Sequence, residues 1–390
     1  VQQRLVSLDV FRGVTVALMI LVNSPGSWAH IYPPLRHAAW HGWTPTDLVF
    51  PFFLFIVGVA ISLSLGRRLD SGTRREALVL KIYRRAAVIF GLGLFLNGFP
   101  FNVPLNAEMA AGFEFGDILR TFEAIRIWGV LQRIAMCYLI VALTVVLTRG
   151  TRSRLAAGAV ILLAYELLMR VPLIADWGAG SFALADNFVR WLDLVVVGEN
   201  HLYRVRGLAF DPEGLLSTLP AAATTLVGFF VGEYLRGPRE HGRKLMILCV
   251  SGCAGAVGGW LGSHVEPVNK QLWTVSYVVL TGGLATVGLA VSSWLIDVRR
   301  WHRGTRPAVV FGSNPLVVFL GSGLLARLLY LVKVSDQDGG TVSLQIWLYR
   351  NVFVPAAGEV NGSLLYAVVN VLFWLLVLWW LYHRRIFVKI

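Results

Sequence analysis

The feature that most constrains this chain is the recurrence of long apolar runs along its whole length, separated by short clusters of lysine and arginine. A helix that crosses a bilayer needs about 20 mostly apolar residues, since no water is present there to satisfy its backbone. Ten runs fit that requirement: 8–24, 46–66, 82–100, 127–148, 155–172, 214–235, 244–263, 272–296, 307–333 and 363–382. The first is short and contains Arg12. With 56% hydrophobic and only 15% charged residues, the chain is too apolar for an ordinary soluble domain. The expected class is all-α, a polytopic transmembrane helix bundle of about ten spanning helices. Residues 1–390 read as a single transmembrane domain, since no internal repeat or separate soluble unit is evident.

Charge orients the bundle. The net charge of +13 would suggest nucleic acid or an acidic surface in a soluble protein. Here the basic residues fall between apolar runs, as the positive-inside rule requires of cytoplasmic loops. Alternate connections carry Arg67, Arg68, Arg74, Arg75, Lys81, Arg84 and Arg85; Arg149, Arg152 and Arg154; Arg236, Arg239, Arg243 and Lys244; Arg299, Arg300, Arg303 and Arg306; and finally Arg384, Arg385 and Lys389. Ten spans then put both termini in the cytoplasm. The longer connections 25–45, 101–126, 173–213 and 334–362 lie on the opposite side, where binding functions tend to gather. No basic stretch interleaved with aromatics occupies a polar domain, so no nucleic-acid partner is expected.

Cys137, Cys249 and Cys253 all lie inside apolar runs without ligand spacing, which argues against a disulfide framework and a zinc site. Arg4, Asp9 and Arg12 precede and invade the first run, and no small-residue cleavage site follows, so that run is expected to be retained as a span. Thr44-Pro45-Thr46-Asp47 has the form of a capping box, and Asp211-Pro212-Glu213-Gly214 resembles a second capped helix start. Gly255 with Gly259, and Gly258 with Gly262, have the spacing of close helix packing.

Polar side chains at membrane depth are costly and mark candidate sites. Asp9 and Arg12, three apart, share a helical face; they either pair as an anchor or leave Arg12 for a phosphate. Asn23 ends the first span, as a helix cap or as the holder of a carbonyl or a histidine. His37 and His41, four apart, would share a face if helical, but the H-E-x-x-H pattern of a metal site is missing and Pro33 and Pro34 precede them. An imidazole beside a carboxylate suits general-base work, with Asp47 as the carboxylate unless the capping box claims it. Interfacial His37, Trp40 and His41 also fit simple anchoring. Gln132 and Arg133 sit inside the fourth span and Asn314 precedes Pro315 in the ninth, together suggesting a water-accessible cavity. Such a cavity suits an enzyme or a transporter, although the paired broken helices of a sugar transporter are not visible in the sequence.

Several segments in order carry a family resemblance. Arg4-Leu5-Val6-Ser7-Leu8-Asp9-Val10-Phe11-Arg12-Gly13, Val22-Asn23, Leu35-Arg36-His37-Ala38-Ala39-Trp40-His41-Gly42 and Asp47-Leu48-Val49-Phe50-Pro51 resemble the heparan-alpha-glucosaminide N-acetyltransferase family of transmembrane acyltransferases. Gly129-Val130-Leu131-Gln132-Arg133, Phe210-Asp211-Pro212-Glu213-Gly214, Pro267-Val268-Asn269-Lys270-Gln271-Leu272-Trp273 and Tyr382-His383-Arg384-Arg385-Ile386-Phe387 extend the likeness over nearly the whole chain.

The resemblance implies transfer of an acetyl group from cytoplasmic acetyl-CoA, a co-substrate, to the amine of a glucosamine-type sugar across the membrane, with no metal. His37 then matches the catalytic histidine, as base or acetyl carrier, with Asp47 the acid that follows and Asn23 the asparagine that precedes it. Arg12, Gln132, Arg133 and Asn314 are the residues expected to meet the donor, and Trp40 and His41 the acceptor. The expected partners are an amino-sugar or glycan acceptor, including a cell-wall or lipid-linked glycan, and the bilayer, with a homodimer left open. Relative to the animal members the chain lacks a large N-terminal luminal domain and one further span, and its Asn23–His37 loop is longer. It therefore looks like a bacterial homologue in the inner membrane.

Overall fold

The protein is described by a computed structural model covering residues 5–103, 114–170, 181–336 and 340–388. Arg4 and Lys389, residues 171–172 at the end of the fifth run, and parts of the longer connections 101–126, 173–213 and 334–362 lie outside the described residues.

A helix stands at each of the ten apolar runs. They are α1 Val6–Asn23, α2 Val49–Ile61, α3 Arg75–Gly98, α4 Val130–Leu147, α5 Thr151–Arg170, α6 Thr218–Arg236, α7 His241–Gly262, α8 Val275–Ser293, the pair α9 Arg306–Ser313 and α10 Pro315–Leu331, and α11 Glu359–His383. Among the described residues, six helical stretches are long and apolar enough to cross a bilayer: Val6–Asn23, Pro45–Asp70, Val130–Leu147, His241–Gly262, Val275–Val298 and Glu359–His383. The pair α9 and α10, bent by 81° at Asn314, makes a seventh if it counts as one span. α3 and α5 fall short of that measure; each carries charges along its length, Lys81, Arg84 and Arg85 in one and Arg152, Arg154, Glu166 and Arg170 in the other. In α6, alanine, threonine and glycine dilute the apolar content.

The burial pattern inverts that of a soluble domain. Leu163, Leu167, Val250 and Leu376 on the bundle exterior are more than 60% exposed, whereas Gln132, Arg133, Thr224, Thr225 and Thr281 are buried. Apolar surface outward and polar groups inward is the arrangement lipid favours. The principal core joins Leu54 of α2, Leu78 and Ile82 of α3, Cys137 and Val146 of α4, Phe229 of α6 and Tyr277 of α8. A second cluster packs Val16 and Ile20 of α1 on Val310, Val318, Trp374 and Leu378.

One conditional reading is decided and three expectations are corrected. Residues 36–43 are not helical, because Pro33 and Pro34 start only a short 3-10 turn, Pro33–Leu35; His37 and His41 therefore share no helical face. Asp211 does not cap the following helix, which begins at Thr218; its carboxylate instead accepts from the Glu213 N–H (2.9 Å) in a tight turn. Of the two glycine pairs in α7, only one packs: a Cβ on Gly259 would meet the Leu280 nitrogen at 2.3 Å, and Gly255 lies against Gly283 of α8, while Gly258 faces open space. The fold is also not purely helical, since antiparallel hairpins pair Arg204–Val205 with Leu208–Ala209 and Lys333–Ser335 with Thr341–Ser343.

The α7–α8 contact therefore depends on a single glycine row. Overpacking such a contact costs about 1–3 kcal/mol. Gly259→Val should lower the thermal midpoint in detergent by several degrees, whereas Gly258→Val should leave it within about one degree; equal effects would contradict the packing described.

Candidate active site

The chain leaving α1 at Asn23 loops over one end of the bundle before entering α2, and this loop carries His37. Its far side is stitched to the connection between α7 and α8. The Gly42 N–H donates to the Val268 carbonyl (2.7 Å), and Gly42 pairs with Asn269 as an isolated parallel bridge. Gly42 adopts φ +93°, a conformation that residues with a Cβ rarely take. Asn269 is fully buried: its Nδ2 donates to the Trp40 carbonyl (3.0 Å) and lies 3.3 Å from His41 Nδ1, while its Oδ1 accepts from the Leu272 N–H. The Tyr165 hydroxyl of α5 donates to the Leu272 carbonyl (2.9 Å), tying that connection to the core.

Asp47 stands at the centre, with its side chain 1% exposed. One oxygen, Oδ2, accepts from the Ala38 N–H (3.0 Å), the Thr44 N–H (3.0 Å) and the Thr44 hydroxyl (3.2 Å), and so closes the capping box. The other, Oδ1, lies 2.6 Å from His37 Nδ1 and 3.3 Å from Lys270 Nζ. Capping and histidine support are therefore carried by separate oxygens of one carboxylate. Its backbone carbonyl is also engaged, accepting from the buried Tyr277 hydroxyl of α8 (2.5 Å).

This geometry sets the tautomer of His37. A carboxylate only accepts, so the 2.6 Å contact is an Nδ1–H donated to Asp47. Lys270 Nζ, 3.1 Å from the same nitrogen, then has Asp47 rather than the ring as its acceptor. Nε2 remains as the basic nitrogen, on a side chain 38% exposed at the mouth of the site. Burial lowers the pKa of Lys270 despite the opposing field of Asp47. Burial likewise lowers that of His41.

Behind this group lies an ionic cluster. Arg126 donates to Asp211 through Nε (2.8 Å) and Nη2 (2.7 Å), and to Glu213 (2.6 Å). Arg133 is fully buried; it donates to the Gly214 carbonyl (3.3 Å) and the Ser217 hydroxyl and lies over the Trp273 ring at 5.1 Å. Trp273 holds φ +58°, a left-handed conformation uncommon for a bulky residue. Its indole donates to Thr224 (3.1 Å).

The residues singled out by sequence divide into two groups. His37, Asp47, Trp40, His41, Asn23, Gln132 and Arg133 belong to the end of the bundle that carries the loop. Trp40 packs edge-on against Phe210 (5.3 Å) and donates to the Phe182 carbonyl (2.8 Å). Asn23 and Gln132 line one cavity of about 250 Å³. Arg12 and Asn314 lie elsewhere. Arg12 pairs with Asp9, about 16 Å along α1 from Asn23 by helical rise. Asn314, at the α9–α10 bend, donates to the Ile386 carbonyl (2.9 Å) and accepts from the Val388 N–H (2.8 Å). What the sequence does not mark as a site is Lys270, with Asn269, Tyr277 and Arg126. The available signal is that Glu266 and Lys270 are the only acidic or basic residues, histidine aside, in the short connection 264–271 between two apolar runs.

Comparison with known proteins matches residues 4–252 to the family model described as heparan-alpha-glucosaminide N-acetyltransferase, catalytic. The chain belongs to that family. It is 27% identical to human heparan-alpha-glucosaminide N-acetyltransferase and 25% identical to the mouse protein, each over 435 aligned residues covering 99% of this chain. The chain spans about 60% of the length of these curated relatives. The region matched to the family model includes the His37 loop and Asp47 and ends before Lys270.

Asp193, in the short helix Phe188–Val196, supports the site from beneath. Its Oδ1 accepts from the Leu215 N–H (2.9 Å), and Oδ2 is buried without a hydrogen-bond partner among the described residues. Burial, reinforced by Asp211, raises its pKa from 3.8 to about 7. A carboxyl raised in the folded state stabilises most below its unfolded value, and that contribution is lost as pH rises through the folded value. Stability should thus fall between about pH 4 and pH 7. Asp193→Asn should melt progressively higher than the parent chain across that window; a pH-independent offset would contradict a buried neutral acid.

Proposed function

We propose that the chain is an acetyl-CoA-dependent N-acetyltransferase acting on the amine of a glucosamine-type sugar, with His37 as general base. The observation that carries this reading is the 2.6 Å His37–Asp47 contact, which leaves Nε2 as the proton acceptor. The amine nitrogen attacks the thioester carbonyl, and His37 Nε2 takes the proton it loses. The carbon–sulfur bond breaks, and the proton passes from Nε2 to the departing CoA sulfur. Asp47 fixes the ring and stabilises its charged form, in the role a carboxylate plays beside a catalytic histidine. Lys270 balances the Asp47 charge, and Asn23, in the neighbouring cavity, offers its amide to the thioester oxygen.

The donor fits the basic residues at the other end of the bundle. A cavity of about 520 Å³ is lined by Arg68, Lys81, Arg84, Arg85 and Tyr138. It suits phosphates bound by guanidinium and ammonium groups. It shares the α3–α4 helix pair with the 250 Å³ cavity at Gly93, Asn97 and Gln132, so an extended thioester arm along that pair would end near Asn23. In this reading the bundle has ten spans with both termini in the cytoplasm, in a bacterial inner membrane, and acetyl crosses from the donor's side to a periplasmic acceptor.

Purified protein incubated with labelled acetyl-CoA and a panel of amino sugars should yield acetylated sugar. His37→Ala should reduce turnover by at least about 10²-fold, the usual contribution of a positioned base, while leaving CoA binding largely intact. Asp47→Asn should lose turnover without a matching rise in KM. Undiminished transfer by purified His37→Ala would sink the assignment.

A further inference from the structure

The 250 Å³ cavity holds a positive charge that the mechanism does not use. Four elements meet there at the end of the bundle that carries the His37 loop: the last turn of α1 with Asn23, the last turns of α3 with Asn97, the start of α4 with Gln132, and the second half of α10 with Arg327. Two guanidiniums line it, and they differ in what balances them. Arg126 is held by both Asp211 and Glu213. Arg327 donates only to the Gly323 carbonyl of its own helix (3.2 Å), and no carboxylate lies within ion-pair distance of it among the described residues. An arginine at membrane depth without an anion is expensive to keep.

A second group points the same way. Gln132 is 1% exposed and lines the cavity, yet its Nε2 has no hydrogen-bond partner among the described residues. A buried amide donor left unmade costs free energy that a ligand acceptor would recover. Asn97 spends its own Nδ2 on the carbonyls of Arg126 (2.8 Å) and Trp128 (3.1 Å), which fixes the wall between α3 and α4. The volume exceeds the roughly 150 Å³ that admits a benzene-sized guest.

We infer that this cavity is a binding site for an anionic oxygen group, a carboxylate, sulfate or phosphate, with Arg327 supplying the charge and Gln132 a hydrogen bond beside it. The inference rests on the transferase reading for the identity of the molecules that carry such a group. In the arrangement proposed above that molecule is an acidic amino-sugar acceptor; a donor phosphate bound here would reverse that arrangement, seating the donor's phosphates at this cavity and not in the one lined by Arg68 and Lys81.

The test is equilibrium binding to the full chain in nanodiscs, using glucosamine 6-sulfate against glucosamine and CoA against pantetheine. Arg327→Gln should weaken one anionic probe by about tenfold or more and leave its neutral counterpart within about twofold; Arg327→Lys should retain part of the discrimination. Loss on the sulfated-sugar arm assigns the anion to the acceptor and loss on the CoA arm to the donor, and either supports the site. Unchanged discrimination on both arms overturns it. Should Arg327→Gln fail to fold, the unmodified chain still decides: inorganic sulfate should displace the discriminated probe more strongly than chloride at equal ionic strength, and no such displacement overturns the site. Binding is read without turnover, so Arg327-dependent discrimination in a chain that transfers no acetyl removes the transferase reading and keeps this one. Unchanged discrimination in an active enzyme does the reverse.

Discussion

The structure of this end of the bundle depends on how one buried carboxylate divides its lone pairs. Asp47 gives Oδ2 to the loop backbone and the helix start, and Oδ1 to His37 and Lys270. The first set fixes where the loop ends and α2 begins; the second fixes which nitrogen of His37 carries a proton. Neither set suffices alone. Without the backbone donors the carboxylate would be free to turn, and without the imidazole it would be a costly buried charge. The Tyr277 hydroxyl on the Asp47 carbonyl adds a third constraint from α8. The position of the imidazole is thereby tied to the core rather than to the loop alone.

The membrane setting explains why so much polar machinery can be gathered here. In lipid an unpaired guanidinium has no water to turn to, so an arginine inside the bundle draws on specific partners. Arg126 has two carboxylates. Arg133 has a carbonyl, a hydroxyl and the face of Trp273, while its Nε and Nη1 have no hydrogen-bond partner among the described residues. Elsewhere in the bundle, glycines allow the helices to come close. A Cβ on Gly58 of α2 would meet the Thr225 carbonyl of α6 at 1.8 Å, and one on Gly228 of α6 would meet that of Phe55 at 2.0 Å.

Much of the fold was legible because the bilayer imposes a length on apolar runs, and a helix lies at every run read from the sequence. His37, Asp47 and Asn23 were legible as polar residues at the boundary of such runs, reinforced by the family likeness. Other features were not. Gly258 and Gly259 are adjacent in sequence, and only their orientation toward α8 separates a packing residue from an exposed one. Lys270 reaches His37 across 233 positions of chain, a proximity created by tertiary folding alone. Asp211 looked like a cap because Asp-Pro commonly starts helices, but the half-buried Arg126 was a stronger claimant.

The bend at Asn314 carries a consequence for how the protein is made. Its amide is satisfied by the backbone of Ile386 and Val388, separated from it by 72 and 74 positions. In a nascent chain made from its N-terminus, α9, the bend and α10 are therefore synthesised before the segment that supplies these partners. Until α11 has emerged and the following segment has folded back, this corner has a buried polar side chain with no native partner. The ordering of synthesis thus makes the post-α11 segment a late closure for the 81° corner.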